Sequence, residues 1–145
     1  MNRLIVNIFR SAILLALLCF AVVLCAAVVA GRQASTAAVF TAEQAAAGKE
    51  AFAKSCASCH MPDLSGNECA PPLAGPNFLS TWHARTTKDL LDYMATTMPA
   101  GGATLPKETY VSITAFVLQT NGAVAGTNSL NATTAVPIST VTSQP

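Results

Sequence analysis

Cys56-Ala57-Ser58-Cys59-His60 is a C-x-x-C-H run. This spacing of two thiols and an imidazole is the attachment signature of c-type haem. The two cysteines add to the porphyrin vinyl groups as thioethers, and the histidine that follows is held as an axial ligand of the iron. Two other readings of the run lack their partners. Half a zinc site needs a second ligand pair, and beyond residue 30 only Cys69 and His83 remain. A thioredoxin-like redox pair expects a βαβ pattern, whereas the flanking residues read as helix and loop.

The N-terminus implies a compartment that suits this chemistry. Arg3 and Arg10 precede an unbroken apolar run from Ala12 to Ala30, and Arg32 follows it. Positive charge before an apolar stretch is the pattern of an export signal. The run of 19 residues also approaches the roughly 20 that span a bilayer. Residues 1–30 are therefore expected to be either a signal peptide, cut after Ala30 or after Ala37, or an N-terminal helix that stays as a membrane anchor. Either way the C-x-x-C-H region is expected in the bacterial periplasm, soluble or tethered to the inner membrane. Cys25 follows Leu24 where a lipoprotein needs a small residue, so lipidation is disfavoured.

The same segment inflates the mean hydropathy of +0.45 and the apolar share of 52%. Taking Arg3 and Arg10 from the 8 basic residues leaves six against 7 acidic ones, a net charge of −1. With no basic stripe, nucleic acid is not an expected partner.

Beyond the apolar run the chain divides into a small-residue linker (31–40), a domain (41–122) and a tail (123–145). The tail holds no charged or aromatic residue and no helical or strand period, which reads as disordered low-complexity sequence. About 80 residues is small for an apolar core without a staple or cofactor. The domain reads as all-α. Thr41 and Gln44 form a capping box for a helix through Ser55. Thr86 or Thr87 caps a second helix through Leu90, Leu91, Tyr93 and Met94, which must stop before Pro99. Pro106 opens a third, with Tyr110, Ile113, Phe116 and Val117 on one apolar face and Asn121-Gly122 as its stop.

Over Thr41 to Gly122 the sequence resembles the small class I cytochromes c. Gly48, Phe52, Cys56, Cys59 and His60 fit the family pattern G-x-x-x-[FY]-x-x-x-C-x-x-C-H. The resemblance implies three main helices around one covalent haem c, with Gly48 and Phe52 at the crossing of the first and last helices against Ile113 and Phe116. Ala70-Pro71-Pro72-Leu73-Ala74-Gly75 resembles the family's loop after the haem-binding histidine. It implies that the Pro71 carbonyl accepts from Nδ1–H of His60 and that Leu73 packs on the haem.

For the sixth iron ligand the candidates are Met61, Met94, Met98 and His83. Met61 adjoins His60 and cannot reach the opposite haem face. Met94 lies within a helix pattern among leucines. Met98, directly before Pro99 and two glycines, stands in the kind of segment where the family places its axial methionine, and is the expected ligand. Asp63-Leu64-Ser65-Gly66 and Met98-Pro99-Ala100-Gly101 further resemble cytochromes that serve quinoprotein dehydrogenases.

With both axial sites filled, the expected function is one-electron transfer between redox proteins, a dehydrogenase as donor and an oxidase or cytochrome as acceptor, and no enzyme activity. The competing expectations are a haem-bearing subunit of a larger membrane complex and a haem enzyme or sensor with an open sixth site. Cys69 is expected to be a small buried hydrophobe, against a thiol for intermolecular pairing or a third attachment.

Overall fold

The computed structural model describes residues 38–142. Both the export or anchor segment and the body of the 31–40 linker lie outside the described residues. Among the described residues no helix is long and apolar enough to cross a membrane.

Five α-helices form the domain: α1 (Ala42–Ser55), α2 (Ala57–His60), α3 (Gly75–Trp82), α4 (Thr87–Thr97) and α5 (Lys107–Thr120). The described residues contain no strand, only isolated bridges at Asn67–Ala70 and Thr86–Pro137. The all-α expectation holds.

Local chemistry sets the helix ends. The Thr41 side chain accepts from the Gln44 N–H while the Gln44 side chain accepts from the Thr41 N–H. Thr86 and Asp89 form the same reciprocal box at α4. Each such cap stabilises a helix by about 1 kcal/mol. Asp89 accepts from the Thr86 backbone and hydroxyl, which holds its carboxyl below the usual range. Met98 is extended, as a residue before proline must be, and α4 ends there.

The core forms where α1 crosses α5, and α4 packs on α5 from a second side. A Cβ on Gly48 would stand 1.9 Å from the Ser112 carbonyl oxygen, so only glycine permits this approach. Phe52 and Phe116 meet beside it, with ring centroids 5.5 Å apart. Most of the α5 circumference is buried, from Tyr110 through Leu118, as befits a central helix.

Helix α3 falls in a stretch to which the sequence reading assigned no element. It is 8 residues long, too short for a clear period. It buries Phe78, Leu79 and Trp82, and Pro76 in its first turn is tolerated because that N–H has no intrahelical partner.

Two domain boundaries need correction. Phe40, assigned to the linker, is fully buried at 0% exposure. The segment expected to be a disordered tail packs onto the helices through residue 142. Leu130, Ile138, Val141 and Thr142 are buried, and Ile138–Thr140 forms a short 3-10 helix. The segment first passes the α1 N-terminus, where Leu130 exchanges two hydrogen bonds with the Gln44 amide (2.9 and 2.8 Å). It then reaches the start of α4. There Val136 accepts from the Thr87 N–H, Ile138 donates to Arg85 and Ser139 donates to His83 (2.9, 2.9 and 3.1 Å). Backbone hydrogen bonds and a few apolar anchors hold it, and neither produces a sequence period.

Candidate haem site

The C-x-x-C-H run closes into a single helical turn. His60 and Cys59 both donate their N–H to the Cys56 carbonyl, at 2.9 and 3.1 Å. Three residues apart on a helix, Cys56 and Cys59 share a face. Both are free thiols, Cys56 half-buried and Cys59 exposed. Burial, and secondarily the neighbouring Cys59, push the Cys56 thiol up.

His60 is 7% exposed, and its Nδ1 lies 2.9 Å from the Pro71 carbonyl oxygen. A carbonyl only accepts, so Nδ1 is the donor, and in the neutral ring the lone pair lies on Nε2. Such a bond fixes the orientation of a ligating ring and raises its basicity. The pairing of His60 with Pro71 that the resemblance implies is thus present in the geometry.

The loop between them is held at several points. Gly66 donates to His60 (3.0 Å) and Leu73 to Leu64 (2.9 Å). The Leu73 carbonyl accepts from Asn121 Nδ2 at 2.9 Å, and Asn121 Oδ1 accepts from the Gly75 N–H at 3.0 Å. The Asn121 amide thereby fixes the Leu73–Gly75 loop and caps a first-turn N–H of α3. Leu73 is half-buried against the core.

Met61 carries the cost of this turn. Its φ of 64° and ψ of 150° lie close to a region nearly exclusive to glycine. Backbone strain of that kind costs roughly 1–3 kcal/mol, against about 0.4–1 kcal/mol lost when a glycine enlarges the unfolded ensemble. Met61→Gly is expected to stabilise the protein by about 1 kcal/mol, read by denaturant unfolding.

The other methionines separate cleanly. Met94 is half-buried against the core. Met98 is half-buried too but lies outside that cluster. Its N–H donates to the Met94 carbonyl (2.9 Å), and its carbonyl accepts from the Tyr110 hydroxyl (2.6 Å). Both backbone groups are fixed while the thioether is uncommitted. His83 caps α3, and its carbonyl takes part in the contact with the C-terminal segment.

The donor set fits a covalently held iron porphyrin. It comprises two free thiols on one turn and an imidazole with an oriented Nε2 lone pair. Leu73, Ala74, Met94 and Leu105 are half-buried apolar residues beside the core, suited to lie against a flat apolar group.

Residues 43–117, just over half of the chain, match the family model described as "Cytochrome C oxidase, cbb3-type, subunit III". The chain belongs to this family of c-type cytochrome domains. No curated protein and no solved structure gives a significant match. Haem c is the family's cofactor and haem-based electron transfer its chemistry, which implies redox proteins as partners.

Within this cytochrome c domain several residues differ from their sequence reading. Cys69 is exposed, not a buried hydrophobe, because Asn67 Oδ1 accepts from the Cys69 and Ala70 N–H groups and turns the loop outward (2.8 and 3.1 Å). Asn121 is a clamp as well as a helix stop. Tyr110 belongs to the apolar face of α5, yet its hydroxyl binds the Met98 loop. Trp82 packs with Phe78, with Tyr93 (5.4 Å, edge-on) and under Arg85 (5.1 Å).

Proposed function

We propose that this chain is a one-electron carrier of the bacterial periplasm, holding a single haem c through Cys56 and Cys59, with His60 and Met98 as axial ligands. The observation that carries this reading is the hydrogen bond from His60 Nδ1 to Pro71, on the same turn as the two free thiols. It leaves Nε2 as the one nitrogen able to ligate.

Bound there, the haem supplies a one-electron iron couple. The thioethers from Cys56 and Cys59 keep the group in place through redox cycling. His60, its ring orientation held by Pro71, would ligate the iron, and Leu73 would offer an apolar side chain to the haem. The Met98 thioether, as a ligand, would favour the ferrous state and raise the potential above that of a bis-histidine site. With His60 and Met98 both holding the haem, no open site would remain for a substrate, and the chain would act by docking rather than by turnover. Lys49, Lys54, Arg85, Lys88 and Lys107 are too few for strong steering, which suits small transient encounters. A periplasmic dehydrogenase, including the quinoprotein class, is the donor this reading implies, and an oxidase or second cytochrome is the acceptor.

A second reading makes the chain a haem-bearing subunit of a larger membrane oxidase or dehydrogenase. The matched family's description and the Ala12–Ala30 run favour it. Copurification with a partner in detergent, with residues 1–30 still attached by intact mass, decides for the subunit.

The purified ferric protein is expected to keep its haem through acid–acetone extraction and to show a methionine–iron charge-transfer band in the far red. Extractable haem overturns the attachment, and a high-spin ferric spectrum overturns the carrier in favour of an open-site haem protein.

A further inference from the structure

Tyr110 stands at a position where the helix pattern asks only for an apolar side chain, and it is 2% exposed. Its hydroxyl is nevertheless used twice. It donates to the Met98 carbonyl at 2.6 Å and accepts from the Leu105 N–H at 3.1 Å. These two residues bracket the loop from Pro99 to Thr104. Within that loop the hydrogen bond between backbone groups is Gly102 N–H to the Pro99 carbonyl, and Gly101 and Ala103 are exposed. One phenol on the rigid central helix therefore ties together both ends of a segment otherwise poor in contacts.

We propose that Tyr110 is a positioning residue for the sixth ligand: its hydroxyl fixes the Met98–Leu105 loop so that the Met98 thioether stays at the iron. This rests on the reading of Met98 as a ligand. Met98 is held on one side by its N–H to the Met94 carbonyl at the end of α4. The Tyr110 bond supplies the other side. Without it, the Met98 carbonyl and the Leu105 N–H lose their shared partner, and the loop can swing outward with the thioether. An entering ligand then competes against a weaker methionine. Asn121, at the opposite end of α5, holds the loop after His60 in the same manner. The last helix thus anchors the Met98 segment through a phenol and, through an amide, the loop that supplies the carbonyl partner of His60.

The test measures imidazole binding to the ferric holoprotein, followed by loss of the far-red band. Tyr110→Phe keeps the ring and its packing. It is expected to raise imidazole affinity roughly three- to tenfold, the size of one lost hydrogen bond. Thr87→Val, which removes a buried hydroxyl bonded to the Thr134 carbonyl, is the control for general destabilisation and is expected to leave that affinity unchanged. In the wild-type holoprotein the Leu105 amide is expected to exchange with deuterium at least about tenfold more slowly than those of Gly101 and Ala103. Equal affinity in Tyr110→Phe and wild type, an equal rise in Thr87→Val, or an unprotected Leu105 amide overturns the proposal. A wild-type protein without the charge-transfer band refutes the ligation by Met98 itself, which separates the two failures.

Discussion

Met98→Ala is expected to leave the haem attached, abolish the far-red charge-transfer band and lower the reduction potential. The fall is on the order of 0.1–0.2 V, a fraction of the ~0.8 V over which axial ligation tunes haem. The backbone argument explains why the fold survives. The N–H and carbonyl of Met98 are bonded to Met94 and Tyr110, and alanine keeps both. The side chain lies outside the buried cluster, so its truncation opens little cavity. Met94→Ala is the converse. Met94 packs against the core, so its loss costs about 2 kcal/mol of stability while the band persists. Spectroelectrochemistry of the two variants, with denaturant unfolding alongside, reads both effects. An unaltered band in Met98→Ala shows that another residue binds the iron.

The contrast between a Met94 packed on the core and a Met98 outside it was partly legible in the sequence, because Pro99 forbids a helical Met98 and frees its side chain from the α4 stripe. Features set by neighbouring residues were equally visible: the capping box at Thr41 and the cap of α4 at Thr86 or Thr87, which the structure places at Thr86. The carbonyl partner of His60 came through resemblance of the Pro71 loop and is matched by the geometry. What escaped depends on long-range pairing without a period. Tyr110 satisfies the apolar face of α5, so nothing in its spacing announces a hydroxyl bonded to residues 12 and 5 positions earlier. Asn121 reads as a helix stop, and its bonds to Leu73 and Gly75 exist only after folding. The segment 123–142 lacks charge and pattern, yet its bonds to the starts of α1 and α4 order it. Helix α3 is nucleated by tertiary burial of Phe78, Leu79 and Trp82, since eight residues cannot hold a helix alone.

Gly48→Ala sets two effects of opposite sign against each other, and their magnitudes decide the outcome. Inside a helix, alanine is favoured over glycine by about 1 kcal/mol, so α1 by itself is stabilised. At the crossing, however, the new Cβ meets the Ser112 carbonyl oxygen at 1.9 Å and the Ser112 carbonyl carbon at 2.5 Å. These are backbone atoms of α5, so no side-chain rotation relieves the overlap and the helices must move apart. That separation loosens the Phe52–Phe116 contact beside it and strains the core at the usual overpacking cost of about 1–3 kcal/mol or more. A backbone clash belongs at the upper end of that range. The net expectation is a loss of about 2–3 kcal/mol, a large share of the roughly 5–15 kcal/mol that holds a small domain. The melting temperature falls by roughly 10–20 °C. The same displacement shifts α1 and the Cys56–His60 turn against α5, whose Asn121 holds the Leu73–Gly75 loop. Haem incorporation during expression is therefore expected to drop along with thermal stability. A Gly48→Ala protein as stable as wild type shows that the two helices cross at a wider separation than this backbone has.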